Sequence, residues 1–305
     1  MLNVSKRFTA LIAASLVVLT ACVSTQSPAP VVSAASLPSQ AFPPPPVEPI
    51  VGQLLRESAL FADSSSPIVL CTAQAGRLAI QRFKSGRYLV SLSDTARCRG
   101  QTPKEAWVNA INVDYADEAL LPLLKRVTER PNLVIDMAYA GNKIFCDGAT
   151  CKINEPLYGK ARCYAAPAVA DALVQAADVL SRRDPTARLR VLDCYRPIDV
   201  QIEMFKRVAD PVWVAQPKPP RYGGHNRGVA IDLTVERDGV PIDMGSAFDA
   251  FSAVSGYDPK LVSAAAHLNR TLLRDVFLAT GFRPYDAEWW HFSLPIDTRA
   301  MNFPL

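Results

Sequence analysis

Two short stretches, residues 223–232 (GGHNRGVAID) and residues 288–291 (EWWH), constrain this 305-residue chain most, because their polar side chains make chemical sense only if the fold brings them together. In the first, His225 lies seven residues before Asp232, two glycines lead in, and Val229, Ala230 and Ile231 read as a buried strand. In the second, Glu288 lies three residues before His291. Two imidazoles and a carboxylate, with one carboxylate to spare, are the inventory of a catalytic zinc site: three protein ligands, an open position for water and a nearby base. The chain has only three histidines, and two fall in these stretches. Either spacing alone suits a core histidine and a turn aspartate equally well, so the reading needs both.

The joint pattern resembles the D-alanyl-D-alanine dipeptidase family of zinc peptidases, whose signature is Ser-x-His-x-x-Gly-x-Ala-x-Asp followed later by Glu-Trp-Trp-His. His225, Gly228, Ala230, Asp232, Glu288, Trp289, Trp290 and His291 all fall on it. The resemblance extends to DMAYAG around Tyr139, LDCYRP around Arg196, MGSAFD ending at Asp249 and LLRDVFLATGFRPY before Glu288, and covers roughly residues 132–300. It implies one Zn2+ per chain held by His225, Asp232 and His291, Glu288 as general base, and Arg196 facing the developing oxyanion. Tyr139 and Asp249 would hold the free ammonium of a small D,D-dipeptide substrate. Gly223 departs from the pattern, standing where the family's serine helps hold the substrate's other end, and Asn226 is the residue placed to compensate. A purely structural alternative pairs Arg196 with Asp193. Trp289 and Trp290, if extended, face opposite ways, one toward the pocket and one toward the core.

The implied reaction is hydrolysis of free D-alanyl-D-alanine to two D-alanines, in turnover or salvage of cell-wall peptides. Two rival readings are a zinc D,D-carboxypeptidase or endopeptidase acting on murein peptides, and a non-catalytic zinc-bearing lipoprotein that binds cell wall. The intact Glu288 and Arg196 argue against the second, since a pure binder needs no base.

At the start of the chain, Lys6 and Arg7 precede an apolar run over residues 11–19, and LTAC closes it at Cys22. This is the layout of a lipoprotein signal over residues 1–21 with Cys22 lipidated. The run is too short for an ordinary membrane-spanning helix. Val23 rather than Asp follows the cysteine, which by resemblance to bacterial lipoproteins favours the outer membrane. The expected address is therefore the cell envelope, anchored in the inner leaflet of the outer membrane and facing the periplasm. Residues 22–49, rich in Pro, Ser and Ala and ending in four consecutive prolines at 43–46, read as a tether.

The folded part is expected as a small β-rich extension over residues 50–130 and a catalytic domain over residues 131–305. Within the extension, residues 51–61 suit a short amphipathic helix, and residues 67–71, 77–83 and 87–92 suit strands. The catalytic domain reads as α+β, a mostly antiparallel sheet packed with helices; the resemblance implies the hedgehog-like fold of zinc D,D-peptidases. Its long helices are residues 167–182 and 261–280, the second with an apolar stripe at 261, 264, 268, 272 and 276. Residues 189–193 read as a strand, Asp232 as the end of another, and residues 236–239 as a hairpin turn. His267 reads as an ordinary helix residue.

Seven cysteines, less a lipidated Cys22, leave six for an oxidising compartment, and six allow fifteen pairings. Nearness along the chain favours Cys71 with Cys98, Cys146 with Cys151, and Cys163 with Cys194. A net charge of only +4 and the lack of a nucleic-acid signature argue against a nucleic-acid partner, no sequence repeat is evident, and no obligate protein partner is implied.

Overall fold

Alternating burial, rather than helical spacing, governs the first folded stretch. Ile50, Gly52 and Leu54 are buried while Val51 and Gln53 are exposed, so this segment is a strand, Ile50–Leu54, followed by a second, Ser58–Phe61. The helix expected over residues 51–61 is thereby corrected. Leu54, Leu55 and Ser58 mimic a helical stripe, but Leu55 is 53% exposed, and its amide bonds across to the Asn112 carbonyl at 2.8 Å. The computed structural model describes residues 48–92, 96–97, 102–120, 122–219 and 222–305. The expected signal, Cys22 and all but the last two residues of the tether lie outside the described residues, as does Cys98. Cys71 is disulfide-bonded.

The two strands belong to an eight-stranded sheet with the expected strands at Val69–Ala73, Gly76–Lys84 and Arg87–Ser91, and every pairing in it is antiparallel. Its core runs into that of the following residues. Arg82 pairs with Asp199 at 2.9 Å, the Ser85 hydroxyl donates to Glu155 at 2.6 Å, and Gly159 lies so close to Tyr88 that a Cβ there would sit 2.3 Å from the phenol oxygen.

The second large sheet carries the chemistry. Its strands run in the order Leu133–Ile135, Ala187–Asp193, Ala230–Arg237, Glu288–Ser293, Arg283–Tyr285, with Val240–Pro241 paired to Ala230–Arg237. Only the first pair is parallel, so the fold is α+β and mostly antiparallel, as expected. Asp232 is the third residue of its strand, not the last. The run stays buried through Val235 and Glu236 before Asp238 and Gly239, both at positive φ, turn the hairpin.

Three α-helices are present among the described residues. Helix α1, Pro167–Arg183, starts on the expected proline and buries Val169, Leu173, Ala176, Ala177 and Leu180. Burying each of its larger apolar side chains contributes about 1.5–3 kcal/mol. Helix α2, Ile198–Arg207, was not expected; it follows Pro197, which cannot extend the preceding strand, and buries Gln201 and Met204. Helix α3, Ala264–Leu278, begins at a Ser263 cap whose hydroxyl accepts the Ala266 amide, and stops where Gly281 takes φ +89°. The helix is where expected, but its inner face is not. Ala266, Arg270, Leu273, Val276 and Phe277 point inward, whereas Leu268 is 67% exposed.

Candidate active site

Strand register builds the centre of the site. Asp232 lies directly opposite His291 on one side and opposite Asp193 on the other, so three polar residues form a row across three adjacent strands. Directly opposed side chains lie about 4.5–5.5 Å apart at Cβ, close enough for their polar ends to meet. An irregularity between Val191 and Asp193 turns Asp193 into this row.

His225 arrives from a different element, a single 3-10 turn, His225–Arg227, capped by Gly228 at φ +66°. Only glycine fits there: a Cβ would lie 2.8 Å from Leu124 and 3.1 Å from the Ala166 amide. Three bonds fasten this turn to the end of the Asp193 strand. The His225 Nδ1 lies 2.7 Å from the Cys194 carbonyl, the Arg196 amide donates to the His225 carbonyl at 3.1 Å, and the Asn226 side-chain amide donates to the Arg196 carbonyl at 2.8 Å. A carbonyl only accepts, so Nδ1 carries the proton and Nε2 presents a lone pair inward. That Nε2 lies 3.2 Å from Asp232 and 3.2 Å from the His291 Nδ1, which is itself 3.0 Å from Asp232. Ligand atoms of His225, Asp232 and His291 all lie within 4.8 Å of one another.

Electrostatics suit this triangle to a cation. Burial opposes ionisation of Asp232, but charge and hydrogen bonds from His225 and His291 more than offset it and hold its carboxyl well below the usual carboxylate range, a stabilisation that a cation would supply once both imidazoles are neutral ligands. Burial pushes the His291 imidazole below its ordinary value although Asp232 pulls the other way, which favours the neutral ligand form. Glu288 is 6% exposed, with an oxygen 3.8 Å from His291 Nδ1. Burial, then the Asp232 and Asp249 carboxylates, push its carboxyl up to about 9. Three carboxylates and two imidazoles converging in one buried place are costly without a positive partner.

Arg196 supplies part of that charge and is held from all sides. Its Nε and Nη2 donate to Asp193 at 3.0 and 2.7 Å, its Nη1 donates to Gln201 at 2.9 Å, and Nη2 lies 3.7 Å from Asp232. Asp193 also accepts the Tyr158 hydroxyl at 2.7 Å and is completely buried. The structural pairing of Arg196 with Asp193 is therefore present, and the guanidinium lines the pocket as well.

That pocket has a volume of about 270 Å³. Tyr139 and Asp249 form one end, the phenol hydroxyl 3.0 and 3.2 Å from the two carboxylate oxygens. Burial, with Asp232 adding to it, raises the Asp249 carboxyl well above its ordinary value, and its backbone is held at φ +58°. Phe145, Trp213 and Phe251 form an apolar wall, with the indole stacked on the Phe251 ring at 6.0 Å. The 211–215 segment closes over one side. The Tyr285 hydroxyl pins it by donating to the Val212 carbonyl at 3.0 Å, and the Gln201 amide by donating to the Ala215 carbonyl at 2.7 Å.

The structure thus brings Tyr139, Arg196, His225, Asp232, Asp249, Glu288 and His291 to one cavity. Trp290 lines it, while Trp289 turns away and donates its indole N–H to Ser246 at 2.9 Å. Asn226 does not compensate for Gly223: its amide is spent on the Arg196 carbonyl, and its Oδ1 has no partner among the described residues. Asp193, Tyr158, Gln201 and Tyr285 were not singled out as site residues from the sequence; only Asp193, three residues before Arg196, carried a signal. The expected disulfides Cys146–Cys151 and Cys163–Cys194 are both formed. The second ties a neighbouring strand to the residue whose carbonyl orients His225.

A buried triangle of two imidazoles and a carboxylate, with a second carboxylate beside it at the foot of a small pocket, is the plan of a metal-dependent hydrolase. Comparison with known proteins gives the family. Residues 126–304 match peptidase family M15, described as D-ala-D-ala dipeptidase, and the chain belongs to this family. A D-alanyl-D-alanine dipeptidase of Escherichia coli (strain K12) is 33% identical over 177 residues, covering 57% of this chain and 84% of that protein. Enzymes of the same name from Streptomyces coelicolor and Enterococcus faecium are 36% and 37% identical over 87 and 86 residues, each match covering 27% of this chain and 43% of the relative. The eight-stranded N-terminal sheet precedes the matched residues.

Proposed function

We infer that this protein is a zinc-dependent dipeptidase that hydrolyses free D-alanyl-D-alanine to two D-alanines. The observation that carries the reading is the His225, Asp232 and His291 triangle beside Glu288, in a cavity that also holds the buried Tyr139–Asp249 pair. The donor set, two neutral imidazole nitrogens and one ionised carboxylate with one histidine oriented by a carbonyl behind it, fits a single zinc ion. When bound, zinc polarises the scissile carbonyl and acidifies a water molecule.

The chain's own residues do the rest. Glu288, ionised once a bound cation offsets the burial and neighbouring carboxylates that push its carboxyl up, takes the proton from the attacking water and passes it to the leaving amine. Arg196, fixed by Asp193 and Gln201, offers a permanent positive charge to the oxygen on which negative charge develops. Asp249, with Tyr139 donating to it, receives the substrate's free ammonium, whose charge favours the ionised carboxylate that burial opposes; an acylated amine supplies no such charge. About 270 Å³ lies below the volume of drug-sized pockets and suits a dipeptide better than a murein strand.

Lipidation at Cys22, a boundary near residue 130 and an address in the cell envelope complete the proposal, and they place the enzyme in turnover or salvage of cell-wall dipeptides. The test is hydrolysis of free D-Ala-D-Ala beside its N-acetylated form by the zinc-loaded protein. Cleavage of the free dipeptide alone is expected; cleavage of the blocked peptide alone would hand the site to the carboxypeptidase reading.

A further inference from the structure

Arg270, on the inner face of α3, is completely buried and has no ion-pair partner among the described residues. Such a charge is tolerated only when its donors are taken up, and here they go to one loop. Its Nε donates to the Met244 carbonyl at 2.5 Å, its Nη1 to the Gly256 carbonyl, and its Nη2 reaches the Ser246 hydroxyl at 3.4 Å. Met244 and Gly256 are twelve residues apart, and Asp249 lies between them at φ +58°. One planar guanidinium thus holds both ends of the loop that carries Asp249. Asn269, its neighbour on the helix, adds a bond to the Asp243 carbonyl at 2.8 Å. Gly245 brings the loop against the start of α3, where a Cβ would lie 2.7 Å from Val262, just before the helix, and 3.0 Å from Ala266 on it. Ser246 also accepts the Trp289 indole N–H, joining the same loop to the strand of Glu288 and His291.

We propose that Arg270 is a positioning residue for substrate recognition: it clasps the 244–256 loop at its base and so fixes Asp249 where the substrate's ammonium is received. The inference rests on the reading of Asp249 given above. Lysine keeps the charge but cannot bridge two carbonyls with a fork. Arg270→Lys is therefore expected to raise KM for free D-Ala-D-Ala about tenfold, the equivalent of one buried charged hydrogen bond, with kcat changed less than about threefold. Zinc content should stay at the parent value. If the arginine acts through Asp249, Arg270→Lys added to Asp249→Ala should raise KM by less than about twofold more. Equal losses in both backgrounds, or an unchanged KM in the single variant, overturn the proposal. Should Arg270→Lys not fold, Ser246→Ala removes one contact of the clasp together with the acceptor of the Trp289 indole, and is read in the same two backgrounds with zinc content reporting on the strand of Glu288 and His291. Amide hydrogen exchange over residues 244–256 separates the two ideas. Faster exchange in Arg270→Lys with no effect of Asp249→Ala on KM sinks the role of Asp249 but keeps the clasp, whereas unchanged exchange sinks the clasp.

Discussion

Replacing Asp193 by asparagine tests how the site is held together. The carboxylate is completely buried, takes two donors from Arg196 and one from Tyr158, and lies 3.4 Å from the His225 Nδ1. Removing one partner of a buried ion pair costs about 3–5 kcal/mol, because the remaining charge stays desolvated. Gln201 still accepts from Arg196, and Asp232 at 3.7 Å takes part of the charge, so the lower end, about 3 kcal/mol, is the expected loss. In a protein of this size each kcal/mol shifts Tm by about 2–4 °C, so Asp193→Asn should melt about 6–12 °C below the parent. Activity should fall further than stability alone explains, since an unfixed Arg196 no longer faces the developing oxyanion; about 10²-fold in kcat is expected. The assays are thermal unfolding by circular dichroism and dipeptide hydrolysis at a temperature well below both transitions. A variant that melts within 2 °C of the parent and keeps kcat within threefold would refute the argument that this pair fixes the arginine.

Glu288→Ala should abolish turnover while the protein still binds one zinc ion by elemental analysis; retained hydrolysis, or loss of the metal, would remove Glu288 from its role. Chelation should abolish hydrolysis and added zinc should restore it, whereas full activity in the chelated protein would exclude the proposed cofactor. A Cβ on Gly223 would sit 3.1 Å from Ala215 and 3.7 Å from the Asn226 Oδ1, which has no partner among the described residues and is within reach of a serine hydroxyl. Gly223→Ser should therefore melt above Gly223→Ala by the worth of one buried hydrogen bond, about 1 kcal/mol or 2–4 °C, and equal melting points would count against it. Hydrogen bonds from Arg237 and Thr186 lower the Asp184 carboxyl from 3.8 to about 2. Its stabilising contribution is present above the unfolded value and is lost as pH falls through the folded one, so the Tm gap between parent and Asp184→Asn should close on acidification toward pH 2.

What the sequence made legible divides along physical lines. That the stretches bearing His225, Asp232, Glu288 and His291 meet could be read because rare residue types at fixed local spacings stand out, and histidine is scarce in this chain. Helix α1 could be read because its proline start and apolar stripe are both local signals. The inner face of α3 could not: Leu268 fits the helical period as well as Ala266 or Leu273, and only the sheet it packs on decides between them. Residues 51–61 failed for the same reason, since strand pairing overrode a weak helical pattern.

The supports of the site were invisible for a deeper reason. Asp193 joins the row with Asp232 and His291 through strand register, and register depends on the whole sheet. Arg270 bonds mainly to backbone carbonyls, which every residue possesses, so no side-chain pattern advertises it. Groups that contact the reacting atoms carry distinctive chemistry and leave local signatures, whereas groups that hold them in place spend ordinary hydrogen bonds over long sequence separations. Gly223, where the signature that this sequence resembles has serine, lies on this boundary. It offers the pocket wall no side chain, and the Asn226 Oδ1 near it has no partner among the described residues, so a substitution here acts on a residue that lines the pocket and on one that holds Arg196 at the same time.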